Sequence, residues 1–276
     1  MQLTKHHGLG NDFLVALVPA GKVGVYTAEL VRRVCDRHRG VGADGLLIGV
    51  LSEHSMRHGT LGEDNVDLTM ILYNADGQRA EMSGNGIRCL AHAEVRRRGV
   101  TAATLRIGTD AGLRVVDVTP GSYAGEIQAR LAMGAVAPGP QVPVLGALDK
   151  PVVKRAESGD IGNPHIVALV DDPATVDVAG TGSRIEAHVA GGVNVEFIAP
   201  RPGEPDAIDL AVWERGVGIT QACGTGACVA SYVAYKWGLV GPRVVVHMPG
   251  GDAVVEVGEQ MVLIGPSEYI AQIELA

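Results

Sequence analysis

Two glycine-rich turns, at positions 83 and 223 and so about half a chain apart, constrain this sequence more than any other feature. Ser83-Gly84-Asn85-Gly86 opens Ile87 to Arg98, a run without Gly or Pro that stops at Gly99. Cys223-Gly224-Thr225-Gly226 opens Ala227 to Trp237, which is nearly all small or apolar and stops at Gly238. Each reads as a helix with a start signal and a glycine stop, the second buried on most sides. Strand-rich sequence precedes each copy and hairpin signals follow it. The economical reading is a two-part pseudo-repeat, each half wrapping strands around one central helix.

The flanking sequence supports strands. Val66 to Tyr73 is rich in β formers and ends in the turn signal Asn74-Ala75-Asp76-Gly77. Leu105 to Ile107 and Leu113 to Val116 read as a hairpin, as do Val244 to Val246 and Val254 to Val257. Ile166 to Val170 and Val193 to Ile198 are further strands by composition. A third helix begins at Thr27, with Leu30, Val31, Val34, Cys35 and His38 on one face and Gly40 ending it. Gly134 to Pro151 is rich in Pro and Gly and suits either a linker or a strand-edge loop.

Composition excludes several classes. With 23 Lys+Arg against 31 Asp+Glu, the chain carries −8 and lacks the basic surface of a nucleic-acid binder. Arg96-Arg97-Arg98 falls at a helix C-terminus, where cations suit the helix dipole. Four cysteines in 276 residues are too few for a disulfide scaffold. No apolar run approaches a membrane span and no export signal opens the chain, so the expectation is a cytoplasmic protein with free thiols. Gly40-Val41-Gly42-Ala43-Asp44-Gly45 matches a dinucleotide fingerprint in letters, but it lies after a helix and before a strand, the reverse of the required order. His54 and His58, at i and i+4, have no accompanying ligand pattern and read as a solvated loop rather than a metal site.

The glycine turns carry the chemistry. Backbone N–H groups at a helix N-terminus approach anions, so a carboxylate or phosphate belongs there. Each turn is led by a side chain able to move a proton, Ser83 in one and Cys223 in the other. At a helix N-terminus the thiol of Cys223 is expected to have a lowered pKa. Two such groups on either side of one α-carbon suit a two-base racemase. The competing reading of Cys223 is a small buried residue at a packed helix start.

Ordered blocks along nearly the whole chain resemble diaminopimelate epimerase, a pyridoxal-independent family. They include His7 to Phe13, Arg37 to Asp44, Asn74 to Gly77, Gly84 to Cys89, Gly162 to His165, Gly192 to Glu196, Trp213 to Gly216 and Ala222 to Cys228. The resemblance implies an α/β (α+β) fold of two pseudo-symmetric domains, each a mixed barrel-like sheet around a central helix, with the active site in the interdomain cleft. It implies that the last strand returns to the first domain, giving 1–122 with 267–276 and 123–266. It assigns Asn11, Asn74, Asn163, Asn194 and Arg215 to the substrate pocket. Gly84, Asn85, Gly224 and Thr225 would hold the reacting carboxylate, with His165 and Glu214 supporting the acid–base groups. The implied activity converts L,L-diaminopimelate to the meso form for lysine and peptidoglycan synthesis, in a homodimer, without metal or organic cofactor.

One departure stands out. The family's first catalytic cysteine precedes Gly-Asn-Gly, and here that residue is Ser83. Cys89, more than a turn along the helix, is not expected to replace it. Ser83 is compatible with an inactivating replacement, with a natural Ser/Cys pair, or with drift to another reaction of the fold. The alternatives to epimerisation are a one-base isomerase or dehydratase, and a non-catalytic binder of amino dicarboxylates. Gly45 is a lesser departure, since many relatives carry Gln there.

Overall fold

A computed structural model describes residues 1–52, 66–80, 83–110, 112–143 and 152–275. His54, His58 and the 144–151 part of the Pro/Gly-rich stretch lie outside the described residues. The chain forms two compact units, Met1–Leu131 with Gly265–Ala276, and Ala132–Ile264.

In the first unit the strands are β1 (Gln2–Gly8), β2 (Asn11–Pro19), β3 (Gly45–Leu51), β4 (Leu68–Asn74), β5 (Arg79–Ala80), β6 (Ala103–Thr109), β7 (Gly112–Pro120) and β8 (Glu126–Gly134). Most neighbours are antiparallel, but β2 pairs with β3 and β4 with β6 in parallel. A parallel pair needs a crossover. Helix α1 (Ala28–Cys35) lies in the first crossover and α2 (Gly84–Arg98) in the second. The long last strand, β17 (Met261–Glu274), pairs with both β1 and β8, so eight strands close a ring among the described residues.

Helix α2 packs on β1, β2, β3, β4 and β7, and every residue from Gly84 to Val95 is buried. Helix α1 covers a separate cluster containing Leu14, Leu46, Ile48, Val31 and Val34. β3 thus has apolar partners on both faces, which explains its nearly unbroken apolar sequence. Thr27 caps α1 by accepting a bond from Leu30 N at 3.2 Å. The helix stops at Cys35 rather than near Gly40, and His38 is exposed beyond it. The carboxylate of Asp36 takes the N–H groups of His38 and Arg39 and turns the chain early.

The second unit repeats this order. Its strands are β9 (Ala137–Pro138), β10 (Arg155–Asp160), β11 (Pro164–Leu169), β12 (Asn194–Pro200), β13 (Ala207–Glu214), β14 (Gly218–Thr220), β15 (Arg243–Met248) and β16 (Gly251–Glu256), followed by the start of β17. The parallel pairs are β11 with β12 and β13 with β15. Helix α3 (Val178–Ala187) fills the first crossover and α4 (Gly224–Lys236) the second. Strand for strand, β10 to β17 reproduce β1 to β8, and the helices fall at matching places. The fold is α+β, with mixed sheets and few helices.

Sequence reading alone does not find α3, because Gly180 and Gly182 lower its helix propensity. Packing requires the second of these: a Cβ at Gly182 would lie 2.5 Å from Cβ of Trp213. The Trp213 indole N–H in turn donates to Glu186 at 2.6 Å, tying α3 to β13. The arginine run ending α2 is held inside the first unit. Arg97 and Arg98 pair with buried Glu94, Arg98 also with Asp67, and Arg96 stacks on the Tyr269 ring at 3.5 Å. No helix among the described residues is long and apolar enough to cross a membrane.

Replacing Gly182 with Ala raises intrinsic helix propensity yet forces α3 off β13. A net loss of about 1–3 kcal/mol, the usual cost of overpacking, is expected in urea unfolding. Unchanged or increased stability would contradict this account of α3.

Candidate active site

In the second unit, α4 begins at Cys223, whose extended backbone makes it the N-cap. Its Sγ accepts the Gly226 N–H at 3.4 Å and lies 3.4 Å from the Thr225 hydroxyl. The preceding elements bring polar groups to this helix end. Asp160 accepts the Gly162 N–H at 2.8 Å, shaping a turn that carries Asn163 just ahead of β11. Asn163 Nδ2 donates to Thr225 Oγ1 at 3.3 Å, and its Oδ1 meets His165 Nε2 at 3.0 Å. On the other side of the ring, His165 Nδ1 lies 2.7 Å from Glu196 Oε1. Both side chains are fully buried.

Glu214 ends β13 and is half-buried. It accepts a hydrogen bond from the Thr220 hydroxyl on β14, and the Cys223 thiol is close enough to act on its charge. Burial pushes its carboxyl pKa up, and the charge of Glu196 adds to the effect; the Thr220 hydroxyl and the Cys223 thiol oppose it. Asn194 is held by donating to Pro164 O at 3.0 Å, and its Oδ1 accepts the Arg215 N–H at 2.9 Å. The Arg215 side chain is exposed, with Nη1 3.3 Å from Gly191 O.

The expectation of a lowered pKa at Cys223 is not met. Burial pushes the thiol well above its ordinary value, and the carboxylates of Glu214 and Glu196 push it further. The Thr225 hydroxyl and the Gly226 N–H pull the other way. With two carboxylates close to a thiol that is only 5% exposed, desolvation and repulsion outweigh the helix end.

In the first unit the same cap is built on oxygen. Ser83 is the N-cap of α2, and its Oγ accepts the Gly86 N–H at 3.0 Å. Asn85 Nδ2 donates to Asn11 Oδ1 at 3.2 Å, as Asn163 does to Thr225. Fully buried Arg88 donates to Asn85 Oδ1 at 2.8 Å. Asn11 Nδ2 donates to Asp44 Oδ2 at 2.7 Å, and Arg37 bridges Asp44 and Asp12, with Lys5 2.9 Å from Asp12. Asn74 ends β4 opposite Gly45 and is exposed. A Cβ at Gly45 would lie 2.5 Å from the Tyr73 carbonyl, so the glycine fits the local packing. Cys89 is fully buried, bonded by Ser267 at 3.7 Å, and burial pushes its thiol up to about 12.

The structure therefore gathers Cys223, Thr225, Asn163, His165 and Glu214 in the second unit, and Ser83, Gly84, Asn85 and Asn11 in the first. Two contributors were not singled out from sequence: Glu196, and the Arg37–Asp44 pair behind Asn11. Glu196 did leave a signal, a charge inside the apolar run from Val193 to Ile198, where a strand buried on both faces must give it a partner.

The chain shares its fold with several solved structures. It superposes over its full length on a Bacillus anthracis phenazine biosynthesis protein of the PhzF family (TM-score 0.70, 16% identity, 99% of that chain). It also matches an Agrobacterium vitis hydroxyproline epimerase (TM-score 0.62, 16% identity, 100% and 91% of the two chains). Residues 3–136 and 158–270 match the diaminopimelate epimerase family model, and the chain belongs to that family. Diaminopimelate epimerase 1 of Nostoc is 34% identical over 287 residues, covering 98% of each chain. The Pelotomaculum thermopropionicum diaminopimelate epimerase is 37% identical over 288 residues, covering 98% of this chain and 97% of its own.

Because folding raises the Glu214 pKa, the stability tied to its protonated form is present at low pH. It is lost as pH rises through that raised value. Glu214→Gln should therefore gain stability relative to the parent as pH rises through the carboxylate range. Urea midpoints across a pH series test this, and a difference that is flat or falls with pH would contradict the assignment.

Proposed function

We propose that this protein epimerises L,L-diaminopimelate to the meso form by proton transfer at the α-carbon, in the supply of lysine and peptidoglycan precursors. The observation that carries this reading is the near end-to-end family match, together with an intact Cys223-Gly224-Thr225-Gly226 helix start. The reacting carboxylate is assigned to the first-turn N–H groups of Gly84, Asn85, Gly224 and Thr225, which lie where a helix has no internal acceptors to offer. Asn11, Asn74, Asn163, Asn194 and Arg215 are assigned to the rest of the substrate, where the exposed guanidinium suits a second carboxylate.

One group must remove the α-proton and another deliver a proton to the opposite face. Cys223 is assigned as the thiol member, with Glu214 as its proton partner and His165 behind it. Ser83 holds the matching N-cap in the first unit and is assigned as the other member. A hydroxyl is a much weaker acid than a thiol, so this half-reaction limits turnover. No step calls on pyridoxal phosphate or a metal. The protein is expected to act in the cytoplasm as a homodimer, as the family resemblance implies. The relatives support epimerisation over dehydration or simple binding.

Turnover of L,L-diaminopimelate, followed as the meso product on a chiral column, tests the assignment without added cofactor. Cys223→Ala should abolish it, and full activity in that variant would refute the proposal. Ser83→Cys should raise turnover by about a hundredfold or more, within the usual range for a well-matched acid–base group. No gain would remove Ser83 from the reaction.

A further inference from the structure

We propose that Glu196 is a positioning residue for Cys223: by fixing the hydrogens of the His165 ring, it sets the direction of a hydrogen-bond chain through Asn163 and Thr225 to the sulfur. The argument is one of donors and acceptors. His165 Nδ1 meets Glu196 Oε1 at 2.7 Å, and Nε2 meets Asn163 Oδ1 at 3.0 Å. A carboxylate and an amide oxygen both accept, so both ring nitrogens donate. Asn163 then has only its Nδ2 to offer and donates to Thr225 Oγ1 at 3.3 Å. The Thr225 hydrogen is left to point at Cys223 Sγ, 3.4 Å away. Every bond in the chain runs toward the sulfur, so it favours the thiolate.

Two further observations mark Glu196 as built for this place. It is fully buried, and its Oε2 has no hydrogen-bond partner among the described residues, so the His165 ring is its one polar partner in the described structure. A buried carboxylate so placed requires a donor, and a ring protonated on both nitrogens supplies the matching charge. The helix also makes room for it: a Cβ at Gly226 would lie 2.5 Å from Glu196 Oε1.

The first unit supplies the comparison. In the strand registers, Phe13 stands opposite Gly45 as His165 stands opposite Asn194, so Leu47 holds the place of Glu196. A Cβ at Gly86 would meet Leu47 Cδ2 at 3.3 Å, the apolar counterpart of the Gly226–Glu196 approach. Phe13 and Leu47 thus stand where the second unit has His165 and Glu196. The same backbone folds with an apolar pair there, so the ionic pair in the second unit is not needed to fold the strand.

The charged groups around Cys223 are Glu214 from β13, Glu196 from β12 and, behind Asn163, His165 from β11. Loss of the Glu196 charge alone would make the thiol easier to ionise. Loss of the chain would do the opposite, because a His165 ring with a bare Nε2 turns Asn163 over and takes the Thr225 hydrogen away from sulfur. The two effects have opposite signs, which makes Glu196→Gln decisive.

This inference rests on Cys223 being the acid–base thiol of the proposed function, but its test uses no substrate. Failure here leaves turnover as an independent check on that reading. Iodoacetamide labelling of Cys223 in the full-length protein, read by peptide mass spectrometry, should be about tenfold slower in Glu196→Gln at each pH on the rising limb, the effect of one pKa unit. An unchanged or faster rate would overturn the proposal. Should that variant fail to fold, ¹⁵N-histidine NMR of the unmodified protein, with His165 assigned through His165→Asn, reads the ring directly. Two protonated nitrogens are expected from the hydrogen-bond pattern, and a ring with one bare nitrogen would overturn the proposal.

Discussion

Both units depend on one local constraint: a helix whose N-cap side chain takes the N–H of the glycine three residues on, with that glycine bare enough for a strand side chain to reach the helix end. At Ser83 and Gly86 the approaching side chain is Leu47, and at Cys223 and Gly226 it is Glu196. The cap leaves the first-turn N–H groups unused within the helix. The bare glycine keeps the strand close enough to determine what surrounds the capping side chain. Parallel crossovers then follow, since the helix must enter between β4 and β6, or between β13 and β15, for the strand to lie beside it.

That scaffold is duplicated, but its chemistry is not. In the first unit the capping atom is a hydroxyl backed by Asn85, Asn11 and the Arg37–Asp44 pair. In the second it is a thiol set among two carboxylates, a histidine and a threonine. Burial and like charge both resist ionising Cys223, so its thiolate forms more easily when a neighbouring carboxylate holds a proton. Glu214 is one such neighbour, and its own raised pKa suits it to hold that proton. A thiol and a carboxyl that share one proton can exchange it with little cost as a substrate carbanion forms and collapses.

Much of this was legible in the sequence because it rests on local signals. The two central helices, their glycine stops and the hairpins at 105–116 and 244–257 follow from Gly, Pro and β-branched patterning. The pseudo-repeat could be read from one matched turn, though the strand-by-strand correspondence could not, because only the backbone is repeated. Helix α3 was hidden by Gly182, a residue chosen by the Trp213 ring rather than by helix propensity. The pKa direction at Cys223 is not legible in sequence, because the helix end is visible there whereas the carboxylates that outweigh it arrive from β12 and β13. Glu196 is the clearest case: its strand was expected, but its partner lies 31 residues away on β11.

The central claim is that proton transfer at the α-carbon is shared between unequal partners, a thiol at 223 and a hydroxyl at 83. Its most direct test is the ratio of α-hydrogen exchange to inversion, measured in heavy water at early times for L,L- and meso-diaminopimelate separately. Unequal partners predict that exchange outruns inversion for one isomer only, the one whose proton is taken by Cys223 and returned before Ser83 can deliver another. Equal ratios from the two isomers would contradict the account.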